Sequence, residues 1–317
     1  MTEPAAGAAT HGTVPHGTGA LTPERVLRRL EWRVLRRLDG RLQGDYRTVF
    51  RGTGVDVADL REYQFGDDLR HIDWNVTART DVAHVREYLE DREVTAWLLL
   101  DRSASMDFGP VQRHKHVVLT EVAATVAQLL SRGGNRVGAL LFDAAVRETI
   151  PPASGRNQVL RIVSRLLRPT GAAAAGPTDI GSALRAALGI LRRRSLVVVV
   201  SDFQSEPGWQ GLLGQLARRH DVVAIQVVDR REFELPAAGM IYVEDAETGE
   251  VIFVDTDDPG FRQRLAAAAD ERQAALLGDL RSAGLDLHPV ATDDDLVRAL
   301  FRITHLRRRA RPGTGRC

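Results

Sequence analysis

From residue 94 onward, apolar residues follow two rhythms: short continuous runs of strand length, and longer stretches with apolar positions spaced three and four apart. The runs TAWLLLD (95–101), RVGALLFD (136–143), SLVVVVSD (195–202), DVVAIQVVD (221–229) and LDLHPVA (285–291) predict strands. Between them, HVVLTEVAATVAQLLSR, RNQVLRIVSRLL, TDIGSALRAALGILRR, WQGLLGQLARRH and the stretches 259–283 and 293–303 predict helices. MIYVED and EVIFVD flank AETG and predict a hairpin. Strands built of Val and Leu throughout are apolar on both faces, so helices must cover both sides of the sheet they form. The expected fold is α/β, a doubly wound, mostly parallel, Rossmann-like sheet.

Ahead of this region the pattern is weaker. Residues 22–42 repeat apolar positions at Val26, Leu27, Leu30, Val34, Leu35 and Leu38 with arginines opposite, which predicts an amphipathic helix. Such a helix either packs on its own domain with a solvated arginine face or makes peripheral contact with a membrane. Residues 44–93 are polar and rich in Gly, Asp and Arg, and read as short strands and loops. The expected organisation is a disordered tail (1–21), a smaller N-terminal segment of a helix and short strands (22–93), the sheet domain (94–303) and a basic tail (304–317).

Composition narrows the class. A 317-residue chain with 44% hydrophobic residues can bury a sizeable core. Its 43 basic and 42 acidic residues nearly cancel, so no chain-wide field points to nucleic acid as a partner. Lys115 is the one lysine; with so much arginine and alanine this reads as codon bias and receives no functional role. The single Cys317 excludes an intrachain disulfide and a multi-cysteine zinc site. No apolar run approaches the roughly 20 residues of a membrane helix, and the N-terminus lacks the charged and apolar regions of a signal peptide. A cytoplasmic location is the expectation.

The candidate chemistry lies at strand ends. In open α/β sheets the binding crevice opens beyond the carboxyl ends of the strands, where the winding reverses. Asp101, Ser103 and Ser105 follow the first strand, Thr178 and Asp179 open a helix after Pro177, and Asp202 ends SLVVVV. Alternate spacing can send Asp101, Ser103 and Ser105 toward one point, and Thr178 or Asp179 with Asp202 would complete an oxygen cage. Hard oxygen donors of this kind suit Mg²⁺ better than zinc. The competing reading is a polar turn with a helix-capping Thr178.

Enzyme signatures are weaker. A phosphatase of the haloacid dehalogenase type needs a second Asp two residues after the first, where Ser103 stands. G-x-S-x-G and G-x-x-x-x-G-K-[ST] motifs are missing from the sequence. His114 and His116 in HKH are two residues apart, a spacing that does not align side chains on a helix face. The FGDDLRHIDW stretch gathers Asp67, Asp68, Arg70, Asp73 and Trp74, either as an ion-pair network tying the N-terminal segment to the sheet domain or as a partner-binding patch.

Two resemblances go further. DRSAS, PTDIGSAL and VVVSDF resemble the metal-ion-dependent adhesion site of von Willebrand factor type A domains. The resemblance implies that Ser103, Ser105 and Thr178 ligate a Mg²⁺ ion directly. It implies that Asp101 and Asp202 hold the ion directly or through water, and that an acidic side chain of a partner takes the free position. LREYQFGDDLRHIDWNVTARTDVAHVREYLEDRE and ELPAAGMIYVEDAETGE resemble the bacterial family known as domain of unknown function fifty-eight. Its members join such a signature to a type A-like domain and are often encoded beside MoxR-type AAA+ ATPases. The implied role is a non-enzymatic partner or adaptor of such an ATPase, or of its client, in chaperone-like assembly or activation. Two alternatives stay open: a Mg²⁺-dependent phosphoryl-transfer or hydrolase enzyme using Asp101, and a structural scaffold with a degenerate metal site.

Overall fold

The computed structural model describes residues 22–31, 59–64, 72, 74–87, 94–109, 113–169, 177–244 and 249–310. In chain order the elements are α1 (Pro23–Leu30), β1 (Asp59–Glu62), α2 (Trp74–Thr80), β2 (His84–Glu87), β3 (Thr95–Asp101), α3 (Lys115–Arg132), β4 (Arg136–Phe142), β5 (Val146–Ala153) and α4 (Arg156–Leu166). There follow α5 (Ile180–Ile190), β6 (Leu196–Ser201), α6 (Gln210–Arg219), β7 (Asp221–Val228), β8 (Met240–Glu244), β9 (Val251–Asp255), α7 (Pro259–Ser282), β10 (Leu287–Ala291) and α8 (Leu296–Ala310).

Six strands form the central sheet in the order β10-β7-β6-β3-β4-β5, parallel except for the antiparallel edge strand β5. The period of two along each strand divides the core. Ala96, Leu98 and Leu100 of β3 pack with Val26 and Leu27 of α1, Val122 of α3, Ile162 of α4 and Leu300 of α8. Trp97 and Leu99 pack on the other face with Leu184 of α5, Leu213 of α6 and Leu280 of α7. Every residue from Ala96 to Asp101 is buried, which is why the run is continuously apolar up to its last position.

The chain leaves β3 for β4 on one side and later returns to β6 on the other. The winding therefore reverses between β3 and β6, and ligands of open α/β sheets bind at such a point. Leu100 is in register with Val200, so Asp101 and Ser201 end their strands side by side.

Two elements depart from the pattern. β5, VRETIPPA, buries Ile150 fully but leaves most of its other positions partly or wholly exposed, so no apolar run marks it. Its Pro151 and Pro152 lack donors and are tolerated because the strand lies at the sheet edge. α2 is a helix where strands and loops are expected, beside the antiparallel β1 and β2.

The described part of the N-terminal amphipathic helix packs on its own domain: Val26, Leu27 and Leu30 join the core, and Glu31 pairs with Arg156 at 2.6 Å. Its continuation to residue 42 lies outside the described residues. The boundary expected at 303 falls inside α8, where Thr304 is buried and Arg307 pairs with Asp221 at 2.6 Å. The basic run beginning at 304 is thus helix as far as Ala310, because its first turns still serve the core. Among the described residues no helix is long and apolar enough to cross a membrane.

Candidate functional site

Asp101 is 1% exposed, and both its oxygens are held from within the fold. Oδ1 accepts the Ser103 N–H at 2.9 Å, and Oδ2 accepts the Ser201 hydroxyl at 2.5 Å. Ser201 Oγ also accepts the Phe203 N–H at 2.9 Å, so one hydroxyl ties the ends of β3 and β6 together. The Ser103 and Ser105 hydroxyls lie 2.9 Å apart as the chain enters a 3₁₀ turn, Ala104–Asp107. The intervening Arg102 points away, donating to the carbonyls of Arg165 (2.8 Å) and Arg168 (2.6 Å) near the C-terminal end of α4. Alternation thus does what the spacing predicts: positions 101, 103 and 105 share a buried polar cluster, and 102 anchors the loop.

Asp202 stands one residue past β6 and is buried. Its Oδ1 accepts the Gln204 N–H at 3.0 Å. The next residue, Phe203, has φ +62°, a left-handed conformation that costs a non-glycine residue about 1 kcal/mol. Thr178 is buried, and its carbonyl accepts the Ser205 hydroxyl (2.8 Å) and the Glu206 N–H (2.9 Å), fastening its loop to the one after β6. Asp179 is committed elsewhere. Its carboxylate caps α5 through the Ser182 N–H at 3.1 Å and pairs with Arg185 at 2.8 Å.

The residue that sequence reasoning set aside is Lys115. It is fully buried, with Nζ 2.8 Å from Asp202 Oδ2 and 2.6 Å from Glu232 Oε1. Glu232 lies in a 3₁₀ turn after β7 and also accepts from Gln204 Nε2 at 3.2 Å. The Lys115 N–H donates to the Phe108 carbonyl at 2.7 Å, folding the loop after β3 back onto the start of α3. Gly109 makes that fold possible: its φ is +149°, and a Cβ there would sit 2.4 Å from the Arg113 carbonyl oxygen. A composition that uses arginine at every other basic position but keeps lysine here was the available signal. A compact ammonium with three donors fits between two carboxylates where a planar guanidinium does not.

The electrostatics follow from burial. Removal from water, then the facing Asp202, pushes the Asp101 carboxyl up to about 7, against the pull of the Ser201 and Ser103 hydrogen bonds. For Lys115, burial works to lower its pKa, but Asp202 and Glu232 more than offset it and the ammonium form is favoured. No basic side chain is bonded to Asp101 among the described residues.

The donors gathered here are hydroxyl and carboxylate oxygens, a set whose hardness fits Mg²⁺. Among the described residues no cluster of three or more His, Cys, Asp or Glu is arranged to hold a metal, so any ion here depends on the serine and threonine hydroxyls. The HKH pair differs from expectation. His114 is extended and precedes α3, so its ring stacks on His116 with centroids 5.4 Å apart, and His116 Nδ1 lies 3.1 Å from Asp107 Oδ1. Of the FGDDLRHIDW candidates, Asp67, Asp68, Arg70 and Asp73 lie outside the described residues, while Trp74 opens α2 and is 70% exposed.

Residues 59–275 match the family described as Protein of unknown function DUF58. An uncharacterized protein of Mycobacterium bovis is 38% identical over 284 residues, covering 90% of this chain and 89% of that protein. An uncharacterized protein of Mycobacterium avium is 34% identical over 160 residues, covering 50% of this chain and 94% of its own length. Among solved structures, the conserved hypothetical protein BatB from Bacteroides thetaiotaomicron is similar with a TM-score of 0.44 and 17% identity, over 68% of this chain and 98% of that one.

Proposed function

This chain belongs to the DUF58 family, and we propose that it is a non-enzymatic, Mg²⁺-dependent protein-binding module with a von Willebrand factor type A-like domain. The observation that carries the proposal is the meeting of Asp101, Ser103 and Ser105 from the end of β3 with Ser201 and Asp202 from the end of β6, where the winding reverses. Ser103, Ser105 and Thr178 would hold the ion with hydroxyls, and Asp101 and Asp202 with carboxylates or through water. When bound, the ion supplies a positively charged open position for an acidic side chain of a partner.

The chain's own residues prepare that position. Ser201 and the Ser103 N–H fix the two oxygens of Asp101, and Lys115 holds Asp202 in one orientation. Arg102 pins the loop to α4. The partner in this reading is a MoxR-type AAA+ ATPase or its client, met in the cytoplasm. The missing second Asp, with Ser103 in its place, supports binding over phosphoryl transfer.

A second reading rests on Lys115. Its ammonium already sits at one of the proposed carboxylate ligands, so the cluster is partly compensated without an ion, as in a scaffold with a degenerate site. Calorimetric titration of Mg²⁺ into the chelator-treated protein separates the two, alongside capture of the purified ATPase with and without chelator. The binding-module reading expects saturable Mg²⁺ binding that is lost in a Ser103→Ala/Ser105→Ala variant, with ATPase capture lost in parallel. Equal capture under chelator and by the variant overturns it.

A further inference from the structure

At the opposite end of the sheet, beyond the amino ends of β6, β7 and β10, lies a cavity of about 320 Å³, within the size range of small-molecule sites. Arg194, Arg218, His220, His288, Arg307 and Asp286 are among the residues lining it. We propose that this cavity binds a phosphate monoester, with the His220 Nε2–H as its buried donor and the Arg194 and Arg218 guanidiniums as its counter-charge.

His220 is 4% exposed, and its Nδ1 accepts the Ser195 N–H at 3.3 Å. A ring nitrogen that accepts a backbone N–H leaves the proton of the neutral imidazole on the other nitrogen. Nε2 is therefore a donor, yet it is buried without a hydrogen-bond partner. A buried donor left unpaired destabilises the fold, and an acceptor oxygen from a ligand in the cavity removes that cost. The orphan atom is the observation that makes this a site rather than a basic patch.

The charges select the ligand. Arg307 is committed to Asp221 at 2.6 Å, whereas Arg194 and Arg218 make no hydrogen bond or ion pair with the described residues. Among the described residues, the lining sets Arg194, Arg218 and Arg307 against the carboxylates of Asp221 and Asp286. Three helices end near this cavity with C-termini of about half a negative charge each, so the guanidiniums alone carry the attraction for an anion; at His220, beside the effect of burial, the field of Arg219 and Arg194 already lowers the ring's pKa. Both histidines enter as neutral rings. Burial first and nearby arginines second lower the His220 pKa, and the same causes bring His288 to about 4. An acceptor-only anion with several oxygens can satisfy two guanidinium forks and one imidazole N–H together, as a phosphate does.

The test uses the full chain in chelator, so that its outcome is independent of the metal reading. Inorganic phosphate, glycerol 3-phosphate and vesicles of phosphatidic acid in phosphatidylcholine are titrated at constant ionic strength, with chloride as reference. Thermal stabilisation and the His220 Nε2–H resonance are followed together. The expected result is saturable stabilisation beyond chloride with a shift of that resonance, weakened about tenfold or more by exposed-residue substitutions Arg194→Gln and Arg218→Gln. Response to inorganic phosphate or glycerol 3-phosphate assigns a soluble phosphate ligand, and response to vesicles alone assigns a lipid headgroup; both support the phosphate chemistry. No saturable response to any of the three probes, or an undiminished response in the double variant, overturns it.

Discussion

Lys115 Nζ lies 2.8 Å from Asp202 Oδ2, in a site where neither side chain reaches solvent. The same nitrogen reaches Glu232 at 2.6 Å, so one ammonium joins the carboxyl end of β6 to the turn after β7. Its removal strands Asp202 in a low-dielectric interior and takes the ammonium from the partly buried Glu232.

Lys115→Met should therefore destabilise the chelator-treated protein by about 3–5 kcal/mol in urea denaturation, the range for breaking a buried pair. If the cluster holds Mg²⁺, adding the ion should recover more stability in this variant than in the native chain, because the like charge beside Asp202 is gone. Equal recovery in both would remove the ammonium from the electrostatics of the ion.

Mg²⁺ affinity should rise with pH. Without metal, Asp101 retains its proton up to about 7, and an ion that uses this carboxylate must displace it. Below that value affinity should fall about tenfold per pH unit, one proton being released per ion, and above it should level off. Titrations between about pH 5 and 8 would read the slope; a flat profile argues against Asp101 as a ligand.

Asp179 and Thr178 should separate cleanly. Asp179→Ala removes the cap of α5 and should cost about 1 kcal/mol while leaving Mg²⁺ affinity unchanged, because its carboxylate already serves Ser182 and Arg185. Thr178→Val should lower the affinity. Loss of affinity in Asp179→Ala would reassign the ligand.

His288 should make the fold acid-sensitive. Its pKa lies at about 4 in the folded chain against 6.5 for an ordinary histidine, so between these values the unfolded chain binds a proton that the folded one refuses. Stability should fall as pH drops from 6.5 and level off near 4, by up to about 3 kcal/mol for this group. His288→Gln should flatten that part of the profile in parallel denaturation curves.

The chain by itself determined the strands that matter most. TAWLLLD and SLVVVV are legible because a strand covered on both faces must be apolar at successive positions, and the polar residues closing each run mark where it leaves the core. Asp101 and Asp202 could be placed at strand ends on that ground alone. The edge strand β5 was not legible, since one covered position, Ile150, makes no pattern. The lone lysine was visible, but its pairing was not, for a different reason: the partners of Lys115 lie 87 and 117 residues further along, at Asp202 and Glu232. Only the order β7-β6-β3, set by how the whole sheet packs its helices, brings those ends together. Local periodicity records what a residue's own element must bury, whereas a buried charge is decided by which distant element arrives to face it.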